Sequence, residues 1–203
     1  MTLWAIVPVK PLRRGKSRLA DVLSQDDRTE LNRRLLVHTV STLKQIPEIA
    51  DVLVVSRDSA ALALAREHDA RTLQEDGAPH LNVALERASA VAQSYHALSL
   101  LVLPADLPQL SQETVEAILA EGGQPPVVVL APDHHREGTN ALYMNPAGAI
   151  AFDFGEGSFD RHSQQALAAG VDLRVVETPS LAHDVDVPDD LEFLALTLEN
   201  LNE

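Results

Sequence analysis

Three groups of residues in this 203-residue sequence have the types and spacing needed to handle phosphates. Lys10, Arg13, Arg14, Lys16 and Arg18 fall within nine positions, although the whole chain has only 16 lysines and arginines. They follow an apolar run over 3–9 with the length and β-branched content of a buried parallel strand. The segment after them, 17–23, reads as helical. A strand, a cationic loop and a helix start are the parts with which α/β proteins hold nucleotide phosphates. The second group is Asp106, set between two prolines just after the apolar run 98–103. Ligands of open α/β sheets bind beyond the carboxyl ends of strands, where a carboxylate is well placed to hold a divalent metal. The third is Asp184 with Asp186 in His-Asp-Val-Asp. In extended chain, residues two apart point to the same side. Two carboxylates side by side repel unless a cation sits between them, and with Asp106 they form a candidate oxygen-ligand site for Mg²⁺.

A fourth feature is Gly155-Glu-Gly157-Ser158, ahead of a helical pattern. Glycines let backbone N–H groups approach an anion, and a helix N-terminus attracts negative charge. Ser158 reads as the N-cap. Position three residues on is Arg161 rather than the acid of a capping box, which leaves the hydroxyl for another task. Thr139, in Glu-Gly-Thr-Asn, offers a second hydroxyl for the same phosphate. His134-His135 lacks a regular metal-ligand spacing and reads as loop; His183 adjoins Asp184. No cysteine is present, so thiol nucleophiles, thiolate metal sites and disulfides are excluded.

These groups need elements to position them. Helical periodicity covers 26–45, with Pro47 beyond it. A buried strand over 51–56 follows, then an alanine-rich helix to about residue 68. A helix begins near Leu81, with Asn82 in its first turn, after a break at Gly77-Ala-Pro79. Strand 98–103 leads to a helix opened by Ser111, and strands are expected over 127–130 and 141–144. Residues 133–140 read as polar loop. A helix over 159–169, a strand over 171–176 and a last helix capped by Asp189 complete the chain. Alternation of strands and helices predicts an α/β fold built on a parallel sheet. The absence of repeats and linkers predicts one domain over 1–203.

Composition narrows the function further. A net charge of −14 argues against broad nucleic-acid binding, which needs a basic face. It is compatible with a nucleotide held by one cationic loop and metal. No apolar run is long enough to span a bilayer, and the N-terminus lacks the order of a signal peptide. A cytoplasmic enzyme that binds no nucleic acid and no membrane is expected. Gly15-Lys16-Ser17 matches the end of a phosphate-binding P-loop, but Lys10 stands where the first glycine belongs.

The ordered set of motifs resembles the phospholactate/phosphoenolpyruvate guanylyltransferases of deazaflavin coenzyme F-420 biosynthesis. The motifs are Val-Pro-Val-Lys-Pro-Leu and Gly-Lys-Ser-Arg-Leu, Val-Val-Ser-Arg-Asp at 54–58, Leu-Asn-x-Ala-Leu at 81–85, Ala-Asp-Leu-Pro at 105–108, Glu-Gly-Thr-Asn-Ala-Leu at 137–142, Phe-Gly-x-x-Ser-Phe at 154–159 and His-Asp-Val-Asp at 183–186. The resemblance implies a three-layer, glycosyltransferase-A-like nucleotidyltransferase fold with a central mixed, mostly parallel sheet. It implies transfer of GMP from GTP to the phosphate of a small phosphorylated carboxylic acid, with release of pyrophosphate. It places Lys10, Lys16 and Arg18 on the GTP phosphates, and Arg57, Asp58, Gly77 and Asn82 near base and ribose. Thr139, Gly155 and Ser158 are implied for the acceptor phosphate, and Asp106, Asp184 and Asp186 for Mg²⁺. Lys10, Lys16 and Asp106 are the implied catalytic set, and a homodimer is expected. Phosphoenolpyruvate is the expected acceptor, with 2-phospho-L-lactate beside it and 3-phosphoglycerate as the alternative. The rival classes are a CTP- or ATP-dependent nucleotidyltransferase, a P-loop-like GTP hydrolase and a non-catalytic nucleotide-binding protein.

Overall fold

A computed structural model of the chain describes residues 2–77 and 80–185. Its strands are β1 (Leu3–Val9), β2 (Ile49–Ser56), β3 (Arg71–Gln74), β4 (Ser99–Val102), β5 (Val127–Pro132), β6 (Thr139–Asn145) and β7 (Asp172–Val175). Its helices are α1 (Gln25–Lys44), α2 (Ser59–Glu67), α3 (Leu81–Ser94), α4 (Gln112–Glu121), α5 (Ser158–Ala168) and the single turn α6 (Pro179–Ala182). The strands form one sheet in the order β3-β2-β1-β4-β6-β5-β7. β6 alone of the seven runs against its neighbours; the other pairings are parallel.

Strand alternation sorts the aliphatic residues onto two faces. Leu3, Ala5 and Val7 of β1 pack with Leu36, Val40 and Leu43 of α1 and with the inner sides of α2 and α4. Trp4 and Ile6 of the same strand face the other way, onto Ala84, Leu85 and Ala88 of α3 and Phe159 and Ala166 of α5. Three layers result, with the sheet buried on both faces. This explains why the central strands read as continuous apolar runs rather than alternating ones.

Connectivity decides where a ligand can sit. From β1 the chain passes outward to β2 and β3, then returns to β4 on the other side of β1. The crevice between the carboxyl ends of β1 and β4 is therefore a topological switch point. Because β6 is antiparallel to β4, its first residues, Thr139 and Asn140, lie at that same edge.

Four local expectations need correction. The helix expected over 17–23 is a 3-10 turn over Ser17–Leu19, and α1 starts later because the Ser24 hydroxyl accepts the Asp27 N–H and caps it. Strand β3 went unread because Arg-Thr-Leu-Gln has no apolar periodicity; it is an edge strand that is exposed at both ends. Thr139 and Asn140, read as loop, are buried residues of β6. Ser158 is the first residue inside α5, whose N-cap is Gly157 at φ 71°. Asp186 and the helix expected after Asp189 lie outside the described residues.

Candidate active site

A cavity of about 690 Å³ opens at the switch point. Its wall includes Lys10, Lys16, Arg18 and Arg57 on one side, Asp106 and Asp184 in the middle, and Thr139, Gly155 and Ser158 on the other. Residues spread over most of the chain thus meet in one space of small-molecule size.

The cationic loop is built as a tight turn. Pro11 carbonyl accepts the N–H groups of Arg14 and Gly15, while Asn32 of α1 donates to the Leu12 carbonyl at 2.7 Å. A Cβ on Gly15 would sit 2.7 Å from the Asn32 amide nitrogen, so only glycine allows this approach. The turn ends with Lys16 at φ 58°, left-handed backbone for a residue that carries a side chain. Its ammonium reaches Asp106, with Nζ 3.4 Å from Oδ2. The other carboxylate oxygen of Asp106, Oδ1, is buried without a hydrogen-bond partner among the described residues. An orphaned, buried, hard oxygen is what a divalent cation would satisfy. Among the described residues no group of three metal-ligating side chains forms. The third candidate, Asp186, is beyond them.

Asp184 is delivered to the site by a strap. Asn140 donates to the Leu181 carbonyl at 2.8 Å, the His134 amide donates to Ala182, and the Val185 amide donates to the Asp106 carbonyl at 3.0 Å. Val185 is buried with Leu19, Leu31 and Leu35, which anchors the strap from beneath. Asp106 and Asp184 are therefore tied together through backbone.

The opposite wall is polar but rigid. The Ser158 hydroxyl donates to Thr139 Oγ1 at 3.1 Å, and His162 Nδ1 faces the same oxygen at 3.0 Å. The amides of Ser158 and Phe159 are already spent on the carbonyls of Gly155 and Glu137. The anion nest expected from the helix start is thus reduced, and the hydroxyl pair is the stronger feature. Gly155 stands at φ 133°, a conformation open to glycine. Arg161 staples this turn, with Nη2 donating to the Asp153 carbonyl at 2.9 Å and Nε pairing with the Asp153 carboxylate at 2.9 Å.

Three of the expected nucleotide residues are not on the wall of this cavity. Asp58 accepts the Leu12 N–H at 2.8 Å and the Ala60 N–H at 2.9 Å, so it braces the cationic loop and caps α2. Asn82 exchanges two hydrogen bonds with the Phe154 backbone and clasps α3 to the glycine turn. Gly77 borders a smaller neighbouring hollow and accepts a hydrogen bond from Arg57. Sequence reasoning missed Glu75, Asn140 and His162. Glu75 lines the cavity beside Arg57; burial raises its pKa, and Arg57 and Arg87 pull it down. Asn140 lies in the Glu-Gly-Thr-Asn-Ala-Leu motif, where only Thr139 was singled out, and no motif marked Glu75 or His162.

A three-layer sheet with a cationic loop and paired acids at its switch point defines a nucleotidyltransferase. Solved structures bear out that fold. A protein described as a nucleotide-diphospho-sugar transferase, from Desulfovibrio desulfuricans G20, superposes with a TM-score of 0.79 at 17% identity, covering 98% of this chain and 89% of that one. A 4-diphosphocytidyl-2C-methyl-D-erythritol synthase does so with a TM-score of 0.68 at 13% identity, over 97% and 98%. Residues 3–200 match the family described as Guanylyl transferase CofC like, and the chain belongs to that family. A relative named phosphoenolpyruvate guanylyltransferase, from Rubrobacter xylanophilus, is 45% identical over 191 residues, 94% of this chain and 92% of its own. Another of the same name, from Sphaerobacter thermophilus, is 39% identical over 198 residues, 96% and 93%.

Proposed function

We propose that the protein transfers GMP from GTP to the phosphate of phosphoenolpyruvate, releasing pyrophosphate, as a step of coenzyme F-420 biosynthesis. One observation carries this reading: a single cavity joins the cationic loop to the Thr139–Ser158 hydroxyl pair across Asp106 and Asp184. A donor anion and an acceptor anion can be held there face to face, with carboxylates between them.

In this reading Lys10, Lys16 and Arg18 hold the triphosphate. Arg57 and Glu75 lie toward the nucleoside. Thr139 and Gly155 face the acceptor phosphate, and Ser158, whose hydroxyl donates to Thr139, braces that wall from behind. An oxygen of that phosphate forms a bond to the α-phosphorus of GTP. The bond from the α-phosphorus to the α,β-bridging oxygen breaks, and pyrophosphate leaves with its electron pair. The nucleophile is already an anion at neutral pH, so no general base is needed. The barrier lies in bringing two anions together, which cationic side chains lower by positioning and charge neutralisation. Asp106 and Asp184, with Asp186 as the expected third, are the residues that would hold magnesium. When bound there it supplies charge neutralisation and Lewis-acid polarisation of the phosphates. Lys16 keeps its ammonium beside the same carboxylate.

The fold also favours this class over a P-loop hydrolase, because the loop before Lys16 is a proline-led turn closed by Asn32 rather than a glycine cradle. Among the described residues no helix is long and apolar enough to cross a membrane. A cytoplasmic enzyme acting as a homodimer completes the reading.

The test is pyrophosphate release with GTP and Mg²⁺ against phosphoenolpyruvate, 2-phospho-L-lactate, 3-phosphoglycerate and no acceptor. Release that depends on phosphoenolpyruvate is expected. Phosphate release without any acceptor would move the protein to the hydrolases, and GTP binding with no release in any well would make it a sensor.

A further inference from the structure

His162 has no part in the reaction as read above, yet it is fully buried against the acceptor wall. Its Nε2 accepts the Asp153 N–H at 3.0 Å. A backbone N–H can only donate, so Nε2 carries no proton. Burial pushes the ring pKa down to about 4, opposed by the Asp153 carboxylate and aided by the Arg161 guanidinium. The imidazole is therefore neutral at pH 7, and its one proton is on Nδ1. That nitrogen faces Thr139 Oγ1 at 3.0 Å and donates to it.

Thr139 Oγ1 also accepts the Ser158 hydroxyl at 3.1 Å. A threonine hydroxyl has two lone pairs and one hydrogen. Both lone pairs are then engaged, and the hydrogen must go to a third partner. Thr139 lines the cavity, so the hydrogen is available to a molecule bound there. A fully ionised phosphate oxygen accepts and does not donate, so it matches this hydroxyl; a ligand hydroxyl that needs an acceptor there finds none.

We propose that His162 is a positioning residue that fixes the Thr139 hydroxyl as a hydrogen-bond donor aimed into the acceptor site, selecting an ionised phosphate there. The assignment rests on the reading of that wall as the acceptor site. The chain of command is one-directional. The Asp153 amide sets the tautomer, the tautomer sets Thr139, and Thr139 meets the substrate. Phe154 holds the ring edge-on, with centroids 5.0 Å apart, so the imidazole is packed as well as bonded.

Two measurements on the full-length enzyme test this. The first is a double-mutant cycle of His162→Leu and Thr139→Val, read as separate KM values for phosphoenolpyruvate and GTP. His162→Leu is expected to raise the phosphoenolpyruvate KM at least ten-fold, with the GTP KM within two-fold. In the Thr139→Val background the same change should add less than two-fold, because the hydroxyl it orients is gone. His162→Asn, whose amide nitrogen lies near the Nδ1 position, should recover part of the loss. An unchanged phosphoenolpyruvate KM, losses that multiply in the double variant, or equal losses for both substrates would overturn the proposal. The second is nitrogen NMR of the His162 ring in the unaltered enzyme, which needs no variant to fold. The Nδ1–H tautomer at pH 7 is expected, and the Nε2–H tautomer overturns the assignment. If the unaltered enzyme is inactive with phosphoenolpyruvate, the reading of the function fails; the tautomer decides the His162 assignment in either case.

Discussion

The ammonium of Lys16 lies 3.4 Å from Oδ2 of Asp106, joining positions 90 residues apart across the switch point of the sheet. The lysine side chain is only 6% exposed, so its charge is held in place rather than left to roam in solvent. Its left-handed backbone adds local strain of a kind that clusters at functional sites. Replacing it should therefore harm chemistry more than folding. Lys16→Met is expected to lower kcat/KM at least a hundred-fold, which is about 2.7 kcal/mol of transition-state stabilisation. Steady-state kinetics with a thermal melt check this. Activity within five-fold of the unaltered enzyme would remove Lys16 from the reaction.

The orphaned Oδ1 of Asp106 leads to a metal-dependence prediction. Chelation should abolish turnover, and added Mg²⁺ should restore it. Asp184→Asn should abolish turnover at any attainable Mg²⁺ concentration while shifting the melting temperature by only a few degrees. Near-normal activity in Asp184→Asn would exclude that carboxylate from the metal site.

Gly15 is placed by a close approach rather than by backbone strain. In Gly15→Ala the new methyl would displace the Asn32 amide and break its bond to the Leu12 carbonyl. The cost to stability should be on the order of 1 kcal/mol, the worth of one hydrogen bond. The cost to function should be larger, because Asn32 shapes the turn that presents Lys16. A five- to fifty-fold rise in the KM for GTP is expected, measured with saturating acceptor. An unchanged KM would show that the loop tolerates the shift.

Stability should fall in mild acid. His162 has a folded-state pKa near 4, against about 6.5 for an unfolded histidine. As the pH drops below 6.5 the unfolded chain takes up the proton first, so the stabilisation is complete above that value and is lost toward pH 4. A shift of that size is worth on the order of 3 kcal/mol. The charged groups acting on the ring, Asp153 and Arg161, are paired with each other. His38, buried against the Leu110 carbonyl, also has its pKa lowered by burial and adds in the same direction. Denaturant melts at pH 7.5, 6 and 5 should show declining midpoints, with a shallower decline in His162→Asn. Parallel curves for the two proteins would contradict the assignment.

Much of the fold was legible in the chain. The runs that became β1, β2, β4 and β5 are long, aliphatic and bounded by turn residues, because a strand covered on both faces needs apolar groups on both. The long amphipathic helix α1 was legible for the same reason, since one face of it must be buried. Strand β3 was not, because Arg-Thr-Leu-Gln is recruited to an exposed edge by backbone pairing with β2, which leaves little trace in side chains. Thr139 was taken for loop because the polar stretch before it masks the start of β6.

The sequence by itself determined the chemical inventory. It held a cluster of cations, an acid after a strand, a second pair of acids, two hydroxyls near glycines, and no thiol. Those are matters of residue type and short spacing. Tertiary structure alone decided which of them meet. Antiparallel β6 brings Thr139 to the edge where β1 and β4 end, and the strap from Leu181 to Val185 brings Asp184 to Asp106. Asp58 and Asn82, polar and well placed by motif, are instead used to brace the loops that carry the cavity wall. His162 has no spacing that marks it, since its role depends on which way its two nitrogens are bonded. Hydrogen-bond direction is a property of packed neighbours, and neighbours come from the fold.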